Sequence, residues 1–398
     1  MIRRLFLTCC LLLAVVLACP AQREMPIIAY MGVPHNQTSD KNFKTFSECG
    51  FNVSLSVYGS ISQMQEACRI AHQYGVSILG HCSESHDSPQ KAAAAMKNVQ
   101  GFFGYFLRDE PTADDIRTIQ KEIEQLKKAD DSHCFYVNLH PYHDRGTLGH
   151  LKTSTYQAYL DTVSAVPCQQ LSFDFYPVTT KGIRPTWYYN LEMVRQESLR
   201  TGKPFWGFVL SVPHDVPFDE GNYYPAPTLA ALRLQVYSNL AYGAQAIQYF
   251  TYWTPDGTDS FHYHDGPIGL DGKKTKTYDV VQQMNRELKA VAPLFYGAKV
   301  LSVHHLGAIP EGTTRQTVMP LNIRSLKIVG RQGAIISQLQ KDGHRYLAIV
   351  NKSHEQPLTV RIQPRNSTPR HLTKQLQAEA LKTSYTVTPG DVLLFRLK

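Results

Sequence analysis

The chain predicts a (β/α)8 barrel followed by a small all-β sandwich, on three observations. Short apolar runs alternate eight times with helix-length amphipathic stretches between residues 22 and 298. Several of those helical stretches stop at a glycine (Gly50, Gly75, Gly202, Gly243) just before the next apolar run, as helix C-caps do. From 299 to 398 the pattern changes to short alternating runs divided by Asp342-Gly343 and Pro389-Gly390 turns. An open doubly wound sheet needs fewer units, and no glycine-rich phosphate loop follows the first strand.

The expected barrel strands are Ile27–Gly32, Asn52–Tyr58, Ser77–Cys82, Phe102–Leu107, Cys134–His140, Gln170–Tyr176, Pro204–Ser211 and Ala246–Trp253. All are short and rich in Ile, Val, Phe and Tyr, as strands buried on both faces should be. Helices are expected at Ser62–Tyr74, Gln90–Asn98, Ala113–Ala129, Tyr156–Val166, Trp187–Thr201 and Pro227–Tyr242, with a last one over Tyr278–Ala292. The sandwich strands include Ala334–Leu339, Arg345–Asn351, Leu358–Ile362 and Asp391–Leu397. His304 and His305 are adjacent, so they face opposite ways on a strand and read as structural.

Ahead of the barrel, Arg3 and Arg4 precede the apolar run Leu5–Ala18, the pattern of a secretory signal. Cleavage after Ala21 would free residues 22–398. Val16-Leu17-Ala18-Cys19 instead resembles a bacterial lipoprotein box, which would end the leader at 18 and attach a lipid to Cys19. Either outcome exports the protein. The five cysteines beyond the leader (Cys49, Cys68, Cys82, Cys134, Cys168) are odd in number and lack CxxC spacing, against a disulfide framework or a zinc site. The net charge of +8 is dispersed, and its densest tracts, Lys273–Lys276 and Arg361–Lys374, are interrupted. That excludes a continuous nucleic-acid stripe. No cofactor, metal or protein partner is implied.

Parallel α/β folds present ligands to the carboxyl ends of their strands. Residues 101–111, Gly-Phe-Phe-Gly-Tyr-Phe-Leu-Arg-Asp-Glu-Pro, end the fourth strand at two adjacent acids, Asp109 and Glu110. They are placed either for acid/base work or to cap the following helix. Arg108 should point away from Asp109. The other strand ends offer Tyr30, Tyr58, His81, Asn138, His140, Asp174, Tyr176, Tyr252 and Trp253, and the loop after strand 8 adds His262 among Phe261, Tyr263, His264 and Asp265. Aromatic faces stack on sugar rings, while carboxylates, Asn and His bond hydroxyls, so a carbohydrate ligand is expected.

The motifs GYFLRDEP, SFDFYP and QYFTYW at the ends of strands 4, 6 and 8, with a β-sandwich behind, resemble the barrel glycoside hydrolases of clan A. They are similar, more narrowly, to glycan-degrading proteins secreted by gut Bacteroidetes. The resemblance implies that Glu110 is the acid/base, with Asp109 where Asn is usual, and that Trp253 floors the sugar subsite. The pattern departs at strand 7, Pro-Phe-Trp-Gly-Phe-Val-Leu-Ser, which lacks the expected nucleophilic acid. Asp174, or Asp215, Asp219 and Glu220 in the loop beyond, are the candidates for the second carboxylate, Asp174 and Glu220 foremost. Barrel hexosaminidases also end strand 4 in Asp-Glu and use the substrate's 2-acetamido group as nucleophile, with the Asp orienting it. Glycan binding without cleavage is a third alternative.

Overall fold

The computed structural model describes residues 24–216, 219–258, 261–329, 331 and 333–397. The signal segment over 1–21, the leader ending at 18 and Cys19 lie outside the described residues. Eight parallel strands close into a barrel in which every neighbour is the next strand along the chain. They are β1 (Ile27–Tyr30), β2 (Val53–Val57), β3 (Ser77–His81), β4 (Phe102–Asp109), β5 (Cys134–Leu139), β6 (Leu171–Phe173), β7 (Phe205–Leu210) and β8 (Ala246–Phe250). The helices that return the chain are α1 (Asp40–Glu48), α2 (Ile61–His72), α3 (Pro89–Met96), α4 (Ile116–Lys127), α5 (Tyr156–Ser164), α6 (Trp187–Thr201), α7 (Leu229–Tyr242) and α8 (Lys276–Phe295). Ser39, Ser60, Thr155 and Thr228 cap α1, α2, α5 and α7 by accepting from the backbone N–H three positions on.

Ile28, Leu55, Leu79, Phe106, Tyr136 and Trp206 pack in one cluster contributed by β1 to β5 and β7, filling the barrel's interior. One layer nearer the carboxyl ends, apolar packing gives way to hydrogen bonds. Tyr136 donates to Gln248 Oε1 (2.8 Å), Gln248 Nε2 donates to Ser172 Oγ (2.8 Å), and Ser172 Oγ donates to Asn138 Oδ1 (2.9 Å). This buried polar ring supports the site above it.

All eight strand ends shift from expectation by one to three residues, and three of the shifts move the rim. β4 runs through Asp109, with a bulge between Phe106 and Arg108 where it pairs with β5. β6 is only three residues long, so Asp174 and Tyr176 lie just beyond it. β8 stops at Phe250, before Tyr252 and Trp253. Two hairpins add walls over this face, Val178–Thr179 with Gly182–Ile183 and His214–Asp215 with Tyr223–Tyr224.

After α8, β9 (Lys299–Gly307), β10 (Ile323–Val329), β11 (Gly333–Lys341), β12 (His344–Asn351), β13 (Leu358–Pro364), β14 (Arg370–Leu372), β15 (Ala378–Glu379), β16 (Ser384–Val387) and β17 (Val392–Arg396) form two antiparallel sheets. Their orders are β9-β11-β12-β17-β14-β15 and β10-β13-β16. Ile336, Leu347, Ile349, Val360, Ile362 and Phe395 pack between them. The larger sheet lies against α7, a helix buried over most of its surface. There Ser337 Oγ donates to Ala241 O (2.7 Å), and His305, fully buried on β9, meets Tyr242 through Nε2 (2.8 Å). Gly390 touches the same helix, since a Cβ there would sit 2.1 Å from Ala230 O. All five described cysteines are free thiols, and among the described residues no helix is long and apolar enough to cross a membrane.

Candidate active site

Glu110 is the first residue beyond β4, and its backbone is unusual. Its φ of +44° lies in the left-handed region that non-glycine residues seldom occupy. Its N–H donates to Asn138 O (2.9 Å), and the next carbonyl, of Pro111, accepts from the Tyr159 hydroxyl (2.8 Å). Both contacts fix the turn. The capping alternative fails here, because Asp115 bonds the Thr112 N–H and hydroxyl (both 2.8 Å) where the chain enters α4. Asp109 and Glu110 face the cleft instead.

That cleft has a volume of about 370 Å³ at the carboxyl ends of the strands. Tyr30, Asp109, Glu110, Asn138, His140, Asp174 and Tyr176 all line it. One amide ties two of the acids together, since Asn138 Nδ2 donates to Asp109 Oδ1 (3.1 Å) and Asp174 Oδ1 (2.8 Å). Tyr30 donates to Asp109 Oδ2 (2.9 Å), and the Tyr176 hydroxyl favours the ionised form of Asp174. Glu110 in turn lies within reach of the charges of Asp174 and Asp109.

Removal of water raises all three carboxyls above the usual range, and like charge adds to it at Glu110 and Asp174. Burial acts first on Glu110, followed by the charges of Asp174 and Asp109. Asp174 feels burial and then Asp109, opposed by its bonds from Asn138 and Tyr176. Asp109 is open to the cleft, yet the crowding around it still raises its pKa against the opposing bonds from Asn138 and Tyr30. Of the three, Glu110 has no bond favouring its ionised form and is the group that keeps its proton.

Six expected residues are elsewhere. β8 turns Gln248 inward, so two-residue alternation turns Phe250 into the cleft. Tyr252 instead packs behind the barrel against Phe46 and Phe51 (centroids 4.8 and 5.6 Å), and Trp253 is buried beside Ile268 and Gly272. Tyr58 follows Val57, the last residue of β2, whose side chain is exposed, and alternation sends the tyrosine into the core between strands and helices. His81 bonds Phe106 O (3.1 Å) and braces the neighbouring strand. His262 points outward and pairs with Asp215 (2.7 Å). Glu220 is exposed on its loop and lines neither the cleft nor the space beside it, so it cannot face Glu110.

The cleft also holds residues that no strand-end count finds. Phe208, Phe250, Phe261 and Tyr263 supply aromatic surface, and Tyr176 stacks on Phe250 at 5.6 Å. Alternation in the loop after β8 was the available signal for Phe261 and Tyr263. His143, Arg184, His214 and Tyr224 come from loops and hairpins and had none. His143 and His214 are pushed down to about 3 and about 4, chiefly by burial, and stay neutral. Among the described residues no group of three or more His, Cys, Asp or Glu is placed to hold a metal ion.

A family model described as beta-galactosidase (Glyco_hydro_42) matches residues 113–291, from just past Glu110 to near the end of α8. The barrel carries a glycoside hydrolase domain. The match covers less than half of the chain. In structure, the chain is similar to the beta-galactosidase of Bacillus circulans sp. alkalophilus (TM-score 0.63, 8% identity, 94% of this chain and 99% of that one). It is similar also to a catalytic mutant of a GH42 beta-galactosidase from G. stearothermophilus (TM-score 0.55, 8% identity, 89% and 95%). The beta-galactosidase of the psychrophilic Marinomonas ef1 matches with a TM-score of 0.52 and 10% identity over 68% of this chain, which spans 60% of that enzyme. At such identities the likeness shows the barrel fold alone. No curated protein matches.

Proposed function

We propose that this protein hydrolyses O-glycosidic bonds with Glu110 as the proton donor to the leaving oxygen. The observation that carries the reading is a half-buried glutamic acid at the end of β4, crowded by two further carboxyls and facing an aromatic cleft. A departing alkoxide needs a proton at neutral pH, and a carboxyl can supply it only if its environment keeps it protonated. Asp174 and Asp109 create that environment. β-Galactosides are the first substrates to try, since the family model and the similar structures carry that name. The leader makes this an exported enzyme, free or held at a membrane through a lipid on Cys19.

One observation favours a second reading of the other half of the mechanism. Two carboxyls that attack and protonate a sugar stand about 5 Å apart for retention or about 6.5–9.5 Å for inversion. Asp174 lies close enough to Glu110 for its charge to raise the Glu110 pKa, and no acid stands at the end of β7. Asp174 is therefore better placed to tune and orient than to attack across a sugar ring, and a 2-acetamido group on the substrate could supply the nucleophile.

An aryl-glycoside panel tests both readings. Glu110→Gln should lower turnover of unactivated substrates by at least about 10² and of activated aryl glycosides by less. Wild-type turnover by Glu110→Gln on an unactivated substrate would end the proposal. Activity confined to 2-acetamido sugars selects the second reading, and activity on plain galactosides removes it.

A further inference from the structure

Beside the cleft lies a second, open one of about 710 Å³, and the two share His140, His143, Arg184 and Val216. Arg184 stands at their junction, immediately after the Val178–Thr179/Gly182–Ile183 hairpin. Its backbone N–H donates to Pro177 O (2.8 Å), and Thr180 N bonds Tyr223 O (2.8 Å), so the hairpin is tied to its neighbour.

The guanidinium is held only by neutral groups. Nη1 donates to the Tyr224 hydroxyl (2.8 Å), and Nη2 donates to His143 Nδ1 (3.1 Å). The plane lies over the Phe175 ring at 4.8 Å. Because arginine can only donate, Nδ1 of His143 carries the lone pair and its Nε2 carries the hydrogen. No carboxylate among the described residues pairs with Arg184. Asp219 feels its charge but is bound by Lys181 (2.6 Å) and Asn222 (2.7 Å), and Asp144 accepts from the N–H groups of Gly146 (2.7 Å) and Thr147 (3.3 Å). Nor does the guanidinium act on Glu110, whose pKa is moved by burial, Asp174 and Asp109 alone.

A clamped guanidinium with donors to spare, on the wall of a sugar-sized cleft and without an acid of its own, is a receptor for an anion. The geometry points to an anionic glycan substrate whose carboxylate or sulfate ester docks on Arg184 at the junction of the two clefts while the glycosidic bond lies over Glu110. This rests on the glycosidase reading and names its substrate class. The aromatic surface would take the ring, and Arg184 would select for a uronate or a sulfated sugar over a neutral one.

The test uses an aryl β-galactoside, its 6-sulfate and the aryl β-galacturonide. Wild type should favour at least one charged substrate by about tenfold or more in kcat/KM, and which one responds tells uronate from sulfate. Arg184→Gln should bring the charged-to-neutral ratio near one, mainly through KM. Arg184→Lys, which keeps the charge but not the fork, should retain part of it and covers the case in which the Gln variant does not fold. Preference for the neutral substrate in wild type, or an equal loss on all three in the variants, overturns the proposal. If wild type cleaves none of them, the glycosidase reading fails separately, and calorimetry decides the subsite with uronate, sulfated and neutral galactose oligosaccharides. Binding of a charged one that weakens at least tenfold in the Arg184 variant and with added salt upholds the subsite. Binding of no charged oligosaccharide, or equal binding of the neutral one, overturns it.

Discussion

Two arcs of one rim behave differently. Along β4, β5 and β6 the strand-end residues Asp109, Glu110, Asn138, Asp174 and Tyr176 converge on one cleft, where the Asn138 amide joins Asp109 to Asp174. Along β8, β2 and β3 the strand-end residues Tyr252, Trp253, Tyr58 and His81 turn into packing or onto a neighbouring strand. Both arcs look alike as lists of residue types. They differ in where each strand ends and how the chain turns there: the turn at Glu110 brings two adjacent acids into the cleft, whereas beyond Phe250 the chain leaves the rim and Tyr252, although in step with Gln248, packs behind the barrel. An aromatic near a strand end therefore carries little functional information until the true end of its strand is known. Polar groups carry more, because a buried carboxyl turned backward into the apolar layer would lie unpaired.

The largest expected contrast between the arcs is in catalysis. Glu110→Gln should lower kcat on an unactivated glycoside by at least about 10², read by steady-state kinetics, whereas the same assay on Glu220→Gln should stay within about twofold of wild type. Next comes stability. Tyr252→Ala removes a fully buried ring from between Phe46 and Phe51 and should cost about 3–5 kcal/mol in denaturant unfolding, with kcat per folded molecule unchanged. A loss of kcat without a loss of stability would return Tyr252 to the site.

Asn138→Leu sharpens the comparison from the other side. Its amide stabilises the ionised forms of Asp109 and Asp174, so its loss should push both carboxyls further up. We expect about a tenfold fall in kcat/KM near pH 6 and a shift of the acid limb of the pH profile to higher pH.

A smaller effect concerns the folded state itself. Glu110 has its pKa raised on folding, so protonation favours the native state. Its stability contribution is fully present below the unfolded carboxyl pKa and is lost as pH rises toward the raised native one. Glu110→Gln should thus leave Tm unchanged at about pH 4 and raise it by a few degrees at about pH 8, followed by thermal unfolding across pH. A gap that does not widen with pH would mean that Glu110 is not desolvated as described.

The closed barrel and the sheets behind it were legible because strand and helix periods differ and eight repeats leave few alternatives. The Asp109-Glu110 pair was legible because it ends an apolar run abruptly. What the chain hid was the true strand ends and loop geometry. β8 ends at Phe250, so the chain leaves the rim before Tyr252 and Trp253, and a residue-type count offers no view of that. His143, Arg184, His214 and Tyr224 meet only after two hairpins fold over the rim, and no local pattern encodes that meeting.

The helix α7 carries a practical consequence for anyone who would cut this chain. Most surface helices keep a polar stripe toward water, but Ala231, Leu232 and every residue from Leu234 to Tyr242 are buried. Barrel strands cover one side and the β9–β17 sheets the other, with Ser337, His305 and Gly390 touching it directly. A fragment ending near residue 298 would leave that second side bare, a greasy wall suited to self-association. The barrel is therefore not a portable module, and its C-terminal sheets line a face that would otherwise stand bare.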